Sequence, residues 1–220
     1  MVRVSYDPHW FPIEYVDESG NLAGTTKGYI AEFERITGVD FQQADIADWT
    51  HALESMRERG SDIIFMVAHT DDRAEYMGFT KPHYIVETSL VTLEETNMDM
   101  DTEGLRLLTI RNYEIEDWLN KNHPDIEYTS VDNTLHGLEV LQQDGADAFA
   151  ATWPVALAIA ETEGMTVYNA GPTGHTYQLS VGYRSDLPIL GPILQKVLDQ
   201  ISQSTLERLQ GAAATPLGQN

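Results

Sequence analysis

The sequence of 220 residues contains no cysteine, and its 13 lysine and arginine residues stand against 35 aspartate and glutamate residues. Without cysteine the chain forms no disulfide bond, no thiol nucleophile and no cysteine-ligated zinc site. The formal net charge of -22 repels a phosphate backbone and an anionic lipid surface. No run of basic residues offers a local exception. The composition therefore argues against nucleic-acid binding.

Long apolar runs are also missing. No run approaches the roughly 18 to 20 residues that a membrane-spanning helix needs, and residues 1–10 lack the pattern of a signal peptide. With 42% hydrophobic residues the chain can bury a core, as one large domain or two small lobes. We therefore expect a globular protein, and if it is exported we expect its signal to have been removed.

Motifs for metals and cofactors are absent as well. None of the seven histidines forms an HxxxH or HExxH pair, so no metal site is predicted. The chain has no P-loop, no GxGxxG and no GxSxG. We therefore expect no cofactor.

Runs typical of β-strands lie near residues 2–6, 63–67, 106–110, 147–151 and 178–184, with helical patterns between them. This alternation predicts an α/β fold.

The strongest internal feature is a repeat. HALESMRERGSDIIF (51–65) and HGLEVLQQDGADAFA (136–150) share His, Leu, Glu, Gly and Asp at an offset of 85. Each copy predicts an amphipathic helix that ends at a glycine with positive φ, followed by an aspartate and a buried strand. We interpret His51 and His136 as matching positions near helix starts. The repeat predicts two similar lobes.

The region 176–184 must return to the first lobe, because the helix after it has little else to pack on. Two connections, near 86–92 and 180–184, would then form a hinge, with the ligand cleft beyond the strand ends. The predicted parts are lobe 1 (1–88), lobe 2 (89–181), a return segment of lobe 1 (182–205) and a linker or frayed terminus (206–220).

Several motifs together resemble one known family. They are DPHWFPIEY (7–15), DESGNLAG before Gly28, WxxAL (49–53), TxxR (70–73), FTKPHY (79–84) and the two GxD strands. In this order, over about residues 2–202, the chain resembles the family 3 bacterial extracellular solute-binding proteins. DPHWFPIEY and TIRNYEIEDWL (109–119) are most similar to Venus-flytrap sensor domains of membrane-bound sensor histidine kinases.

The resemblance implies a two-lobed clamshell of periplasmic-binding-protein type II with two hinge crossings, closing on an amino acid or another small carboxylate. It implies a non-enzymatic, periplasmic sensing domain attached to a membrane-anchored signalling module. One alternative is a free periplasmic solute-binding protein of an amino-acid ABC transporter. Another is an enzyme similar to cyclohexadienyl dehydratase, with Glu114 as general acid.

The resemblance also implies site residues. The arginine of TxxR binds the ligand carboxylate in the family, which assigns Arg73 that role, and a guanidinium offers two charge-assisted hydrogen bonds for it. The alternative is a surface ion pair with Asp71, Asp72 or Glu75. Trp10 and Trp49 match positions that sandwich the ligand, although either can be core.

In lobe 2, Asn112 is expected to cap a helix whose free N–H groups favour an anion. Thr152 stands where amino-acid binders usually have an aspartate for the ligand ammonium. A small carboxylate without a zwitterionic head is therefore favoured, unless Glu114 or Asp7 compensates. The predicted ligand-binding residues are Asp7, Trp10, Trp49, Met66, Ala68, Thr70, Arg73, Asn112, Tyr113, Glu114 and Thr152.

Overall fold

The computed structural model describes residues 1–212. The chain divides into two compact units: unit 1 comprises Met1–Ile85 and the chain from Gln178 onward, and unit 2 comprises Val86–Tyr177. The predicted boundaries at residues 88 and 181 lie a few residues beyond these crossing points. Each unit has its own strands and helices.

The elements in chain order are interspersed strands and helices. Those before the first crossing are β1 (Val2–Ser5), β2 (His9–Trp10), β3 (Glu14–Val16), β4 (Leu22–Ala23), α1 (Thr25–Thr37), β5 (Phe41–Gln43), α2 (Trp49–Arg57), β6 (Ile63–Ala68), α3 (Asp71–Ala74) and β7 (Met77–Phe79). Strand β8 (Tyr84–Thr92) leads into unit 2, which continues with β9 (Leu107–Ile110), α4 (Glu114–Asn122), β10 (Tyr128–Val131), α5 (Thr134–Gln142), β11 (Ala148–Thr152) and α6 (Trp153–Thr162). Strand β12 (Tyr168–Arg184) leads back to unit 1, where α7 (Leu190–Leu198) and α8 (Gln203–Ala212) follow.

In unit 1 the strand order is β12–β6–β1–β5, and β7 also pairs with β12. Strand β1 is parallel to β5 and β6, whereas the last part of β12 is antiparallel to β6. All six residues of β6 are buried, as expected for a central strand covered on both faces. A separate three-stranded sheet, β2–β3–β4, carries the DPHWFPIEY segment.

In unit 2 the strand order is β10–β9–β11–β8–β12. Strand β9 is parallel to β10 and β11, and β8 is antiparallel to β11. The core gathers Leu108, Leu138, Phe149 and Ala156, each fully buried. The predicted alternation of strands and helices is therefore confirmed in both units.

The sequence repeat corresponds to one structural unit used twice. Asp48 caps α2 by accepting the N–H of His51, and Asn133 caps α5 by accepting the N–H of His136. Both histidines thus lie in the first turn of a helix, as the repeat indicates. The aspartates after the glycines also match: Asp62 accepts the backbone N–H of Arg3, and Asp147 accepts that of Arg106.

The prediction that Gly60 and Gly145 adopt positive φ is wrong. The left-handed residues are Arg59 (φ 66°) and Asp144 (φ 60°), immediately before the glycines. The glycine N–H groups instead bond back to the helices, to the carbonyls of Ser55 and Val140. A Cβ on Gly60 would lie 2.8 Å from Ser55 Oγ and 3.3 Å from the Ser55 carbonyl oxygen, so a side chain here would crowd the end of α2.

The segment 206–220 was expected to be a linker or frayed terminus, and this is wrong for its first part. Residues up to Ala212 belong to helix α8. Leu209 is buried, and its carbonyl accepts a hydrogen bond from the Thr25 hydroxyl of α1. Gln210 donates to the carbonyl of His83. Packing on α1 therefore orders this helix despite its small and polar composition, while residues 213–220 lie outside the described residues.

Across residues 1–212, no helix has both the length and the apolar character that crossing a membrane requires.

Candidate functional site

Arg73 is buried in unit 1 even though it follows an exposed turn. Thr70 caps the short helix α3 by accepting the N–H of Arg73. Arg73 is 4% exposed as a residue, and its guanidinium donates from Nη1 to the carbonyl of Ala68 at 2.7 Å and lies 5.4 Å from the Trp49 ring centroid. Asp72, one of the predicted surface partners, pairs with Arg57 at 2.9 Å. A buried, oriented guanidinium is suited to bidentate binding of a carboxylate.

The residues around Arg73 come from the end of strand β6 and from the start of helix α2. Trp49 is the first residue of α2, immediately after the Asp48 cap. Ala68 ends β6, and Met66 within β6 has a left-handed backbone (φ 49°) where the pairing with β12 shifts register. Five of the predicted residues therefore lie close together in unit 1: Trp49, Met66, Ala68, Thr70 and Arg73.

Trp10 lies on the small sheet of unit 1, and Asp7 lies just before its first strand. Trp10 is 4% exposed and pairs across β2–β3 with Glu14. Asp7 is buried, and its carboxylate accepts the N–H of His9 at 2.9 Å. Both predicted residues lie beside an acidic residue that sequence analysis did not predict as a site residue.

That position is Glu14, which is fully buried. Its carboxyl group accepts the Asp7 N–H at 3.0 Å and the Thr26 hydroxyl at 2.6 Å. Burial, as the largest cause, together with the nearby Asp7 charge, raises the pKa of Glu14 to about 8, although both hydrogen bonds act in the opposite direction. Glu14 is therefore largely protonated at neutral pH.

In unit 2 the start of α4 differs from the prediction. Asn112 was expected to be the N-cap, but the N-cap is Tyr113, because Asn112 takes a left-handed conformation (φ 62°). The N–H of Asn112 donates to Glu116 Oε2 at 2.9 Å, and the hydroxyls of Thr109 and Ser130 donate to Glu116 Oε1. The chain's own carboxylate therefore occupies the helix end that was expected to favour an anion.

Glu114, the first residue of α4, pairs with a histidine from β12. Nε2 of His175 lies 2.6 Å from Oε2 of Glu114, but the two groups are not oriented as a hydrogen bond. The side chains are 8% and 21% exposed. The His175 ring packs against Trp118 and Tyr177, at centroid distances of 5.0 and 5.1 Å. Sequence patterns gave no signal for His175, since 60 residues separate it from Glu114 and only the β12 pairing brings it there.

Thr152 ends β11 and precedes α6. Its side chain is 3% exposed, and within residues 1–212 its hydroxyl oxygen has no hydrogen-bond partner. Thr152 pairs across the sheet with Thr88. The hydroxyl of Thr88 in turn donates to the carbonyl of His175.

Within residues 1–212, no group of three or more histidine, aspartate or glutamate side chains is arranged to hold a metal ion.

Known proteins similar to this chain are binding and sensor domains. Residues 2–212 match the bacterial extracellular solute-binding proteins, family 3. The sensor protein EvgS of Escherichia coli K12 is 24% identical over 156 residues, which cover 69% of this chain and 13% of EvgS. The chain thus spans a small part of this curated relative.

Two solved structures show the same fold. The periplasmic domain of Bordetella pertussis BvgS has a TM-score of 0.87 at 18% identity, covering 99% of this chain and 44% of that one. A mutant of the arginine-binding protein ArgBP from T. maritima has a TM-score of 0.80 at 18% identity, covering 97% and 95%. The resemblance and the α/β fold of the Venus-flytrap, periplasmic-binding-protein type, both expected from the sequence, are confirmed.

Proposed function

Since this chain belongs to the family 3 bacterial extracellular solute-binding proteins, we propose that it is the extracytoplasmic ligand-sensing domain of a membrane-bound sensor histidine kinase. The similarity to part of EvgS and to the BvgS periplasmic domain supports this role. The domain would lie in the periplasm and pass its signal to a membrane-anchored module elsewhere in the full-length protein. The domain itself would bind and not catalyse.

The proposed ligand is a small carboxylate or an amino-acid-like molecule, held by Arg73. The observation that supports it most is Arg73 itself, which is 4% exposed and whose guanidinium lies over the Trp49 ring. Such a cation in a chain of net charge -22 is a suitable partner for an anionic ligand. The Thr70 hydroxyl holds the backbone N–H of Arg73, and the Ala68 carbonyl holds its Nη1. The arginine side chain therefore loses little conformational freedom when a ligand binds.

Signalling would follow from a shift between two conformations, one of which binds the ligand more tightly. The chain passes between its units twice, at Ile85–Val86 and at Tyr177–Gln178. We propose these two crossings as the flexible points. Helix α8, which packs on unit 1, follows the second crossing and would lead toward the signalling module.

The test is a thermal-shift screen of the purified chain against amino acids, small mono- and dicarboxylates and amines, because a ligand of the folded state raises the melting temperature. Removing one partner of a buried ion pair costs about 2 to 5 kcal/mol. Arg73→Ala should therefore weaken a carboxylate hit by roughly 30-fold to several thousand-fold. Arg35→Ala, which removes an exposed arginine of α1, is the control. Equal affinity of Arg73→Ala and the unmodified chain would remove Arg73 from the site.

The structural similarity to ArgBP also fits a free solute-binding protein of a transporter. The full-length coding sequence separates the two roles: a membrane span and kinase modules following this domain support the sensor, and their absence supports the free receptor.

A further inference from the structure

We propose that helix α8 is a releasable latch, which leaves α1 as one segment while the rest of unit 1 stays folded. Its release would bring water to a set of buried polar groups beneath it and would free the chain that follows. The release is a property of unit 1 alone, to which α8 belongs. It does not depend on the proposed function, which would give it a use in signalling.

Few side chains anchor α8. Among residues 203–211 only Leu209 is buried. Helix α7, which also packs on α1, has four buried residues. Regions with few buried apolar side chains open locally at a lower free energy than the rest of a domain. We therefore expect α8 to open before α7.

The hydrogen bonds that α8 makes through Leu209 and Gln210 are long. The Thr25 hydroxyl donates to the Leu209 carbonyl at 3.3 Å, and the Gln210 side-chain amide donates to the His83 carbonyl at 3.2 Å. The commonest distances are about 2.7 to 2.8 Å for O–H···O and about 2.9 to 3.0 Å for N–H···O hydrogen bonds. Each of these two bonds therefore holds α8 weakly.

Polar groups without partners lie beneath the end of α8. Within residues 1–212, the Tyr29 hydroxyl and both ring nitrogens of His83 are buried and have no hydrogen-bond partner. The two rings are in edge contact, with centroids 4.9 Å apart. Gln210 lies beside both residues. It donates to the His83 carbonyl, and its side chain opposes the rise in the pKa of Tyr29 that burial causes.

These groups make the docked position of α8 less stable. A buried donor or acceptor without a partner has lost its hydrogen bonds to water and gained none in the protein. Release of α8 would let water reach Tyr29 and His83, and it would expose the Leu209 side chain. The first effect favours release and the second opposes it, so the two positions differ by a small free energy. Such a balance is what a two-state element requires.

The docking position on α1 is specific for α8. A Cβ at Gly28 would collide with Cδ2 of Leu209, so a residue without a side chain lies where the leucine packs. Tyr29 is the next residue of the same helix and is fully buried. An alanine at position 28 would therefore displace α8, although it would favour the helical conformation of α1 itself.

Released α8 would lose its helical structure. Its first turn is capped by the Ser202 hydroxyl, which accepts the N–H of Thr205. Gln203 also donates to the Glu207 carboxylate, one turn further on. These local bonds are not sufficient, because an isolated helix shorter than about 12 to 15 residues is marginal in water. Release would therefore expose the backbone amides of α8 to hydrogen exchange.

The experiment is hydrogen–deuterium exchange of the ligand-free chain, followed by mass spectrometry of peptides that cover α8 and α7. We expect α8 to exchange at least about tenfold faster than α7. Gly28→Ala should speed the exchange of α8 at least about tenfold and leave α7 unchanged. Tyr29→Phe removes an unsatisfied hydroxyl and should slow the exchange of α8 at least about fivefold. Arg35→Ala, on the exposed side of α1, is the control and should change neither helix.

Two results would overturn the proposal. If α8 and α7 exchange at the same rate in the unmodified chain and in Gly28→Ala, α8 opens only when unit 1 unfolds. If Tyr29→Phe speeds the exchange of α8 or leaves it unchanged, the buried hydroxyl does not oppose docking. Because no ligand is present, neither result affects the test of Arg73, and a failed ligand screen leaves the exchange of α8 unaffected.

Discussion

The guanidinium carbon of Arg73 lies 5.4 Å from the centroid of the Trp49 ring, and both side chains are buried in unit 1. Two helix caps create this contact. Asp48 fixes the start of α2 and thus Trp49, and Thr70 fixes the start of α3 and thus Arg73. Both caps are local features, but the contact joins residues from separate elements.

Trp49→Leu should weaken binding of a carboxylate ligand by roughly 3- to 30-fold, because a cation over an aromatic ring is worth about 0.5 to 2 kcal/mol. Calorimetric titration of the thermal-shift hit measures the change. Phe41→Leu is the control, since Phe41 packs on Phe33 of the same unit. An unchanged affinity in Trp49→Leu would mean that the tryptophan belongs only to the core.

Glu14 should make unit 1 less stable as the pH rises. Burial raises the pKa of Glu14 in the folded state from 4.5 to about 8, so this stability is complete below about pH 4.5 and is lost as the pH approaches 8. The loss is about 5 kcal/mol at most. Glu14→Gln, which cannot ionise, should make the melting temperature depend less on pH between pH 5 and 8. If the melting temperature changes with pH equally in both proteins, the pKa of Glu14 is not raised by burial.

His83 should make unit 1 less stable in acid. Burial lowers the pKa of His83 from 6.5 to about 4, and within residues 1–212 neither ring nitrogen has a hydrogen-bond partner. This stability is present above pH 6.5 and is lost as the pH falls to 4, by on the order of 3 kcal/mol.

The replacement His83→Phe fits the contacts that the ring makes with Tyr29 and Phe65. It should reduce the fall in melting temperature between pH 6.5 and 4. His69→Phe, at an exposed histidine, should leave that fall unchanged. Equal acid sensitivity of His83→Phe and the unmodified chain would contradict the assignment.

Leu209 should anchor α8 to unit 1. The side chain is 4% exposed and packs on Gly28 of α1. Leu209→Ala should lower the free energy of unfolding by about 2 to 3 kcal/mol, as in other buried large-to-small replacements. Urea unfolding measures it, with Arg208→Ala on the exposed side as control. A loss below about 0.5 kcal/mol would mean that α8 contributes little to the stability of unit 1.

Local patterns determined much of this protein. The repeat at 51–65 and 136–150 located two equivalent helix–strand units, because an N-cap, an apolar face and a buried strand are written in neighbouring residues. The order of the motifs also identified the family. The strand pattern at 63–67 and the TxxR motif located Arg73 just beyond β6, although the sequence could not show that this residue is buried.

Tertiary structure decided the rest. The predicted positive φ of Gly60 and Gly145 was wrong because the way the chain returns to each helix decides which residue is left-handed. The predicted N-cap role of Asn112 was wrong because its N–H donates to Glu116 and its own backbone is left-handed. Helix α8 depends on burying Leu209 against α1, far away in sequence. Glu14 and His175 have their properties from burial and from neighbours on other elements. Since burial and long-range pairing are properties of the folded chain, no local pattern of residues specifies them.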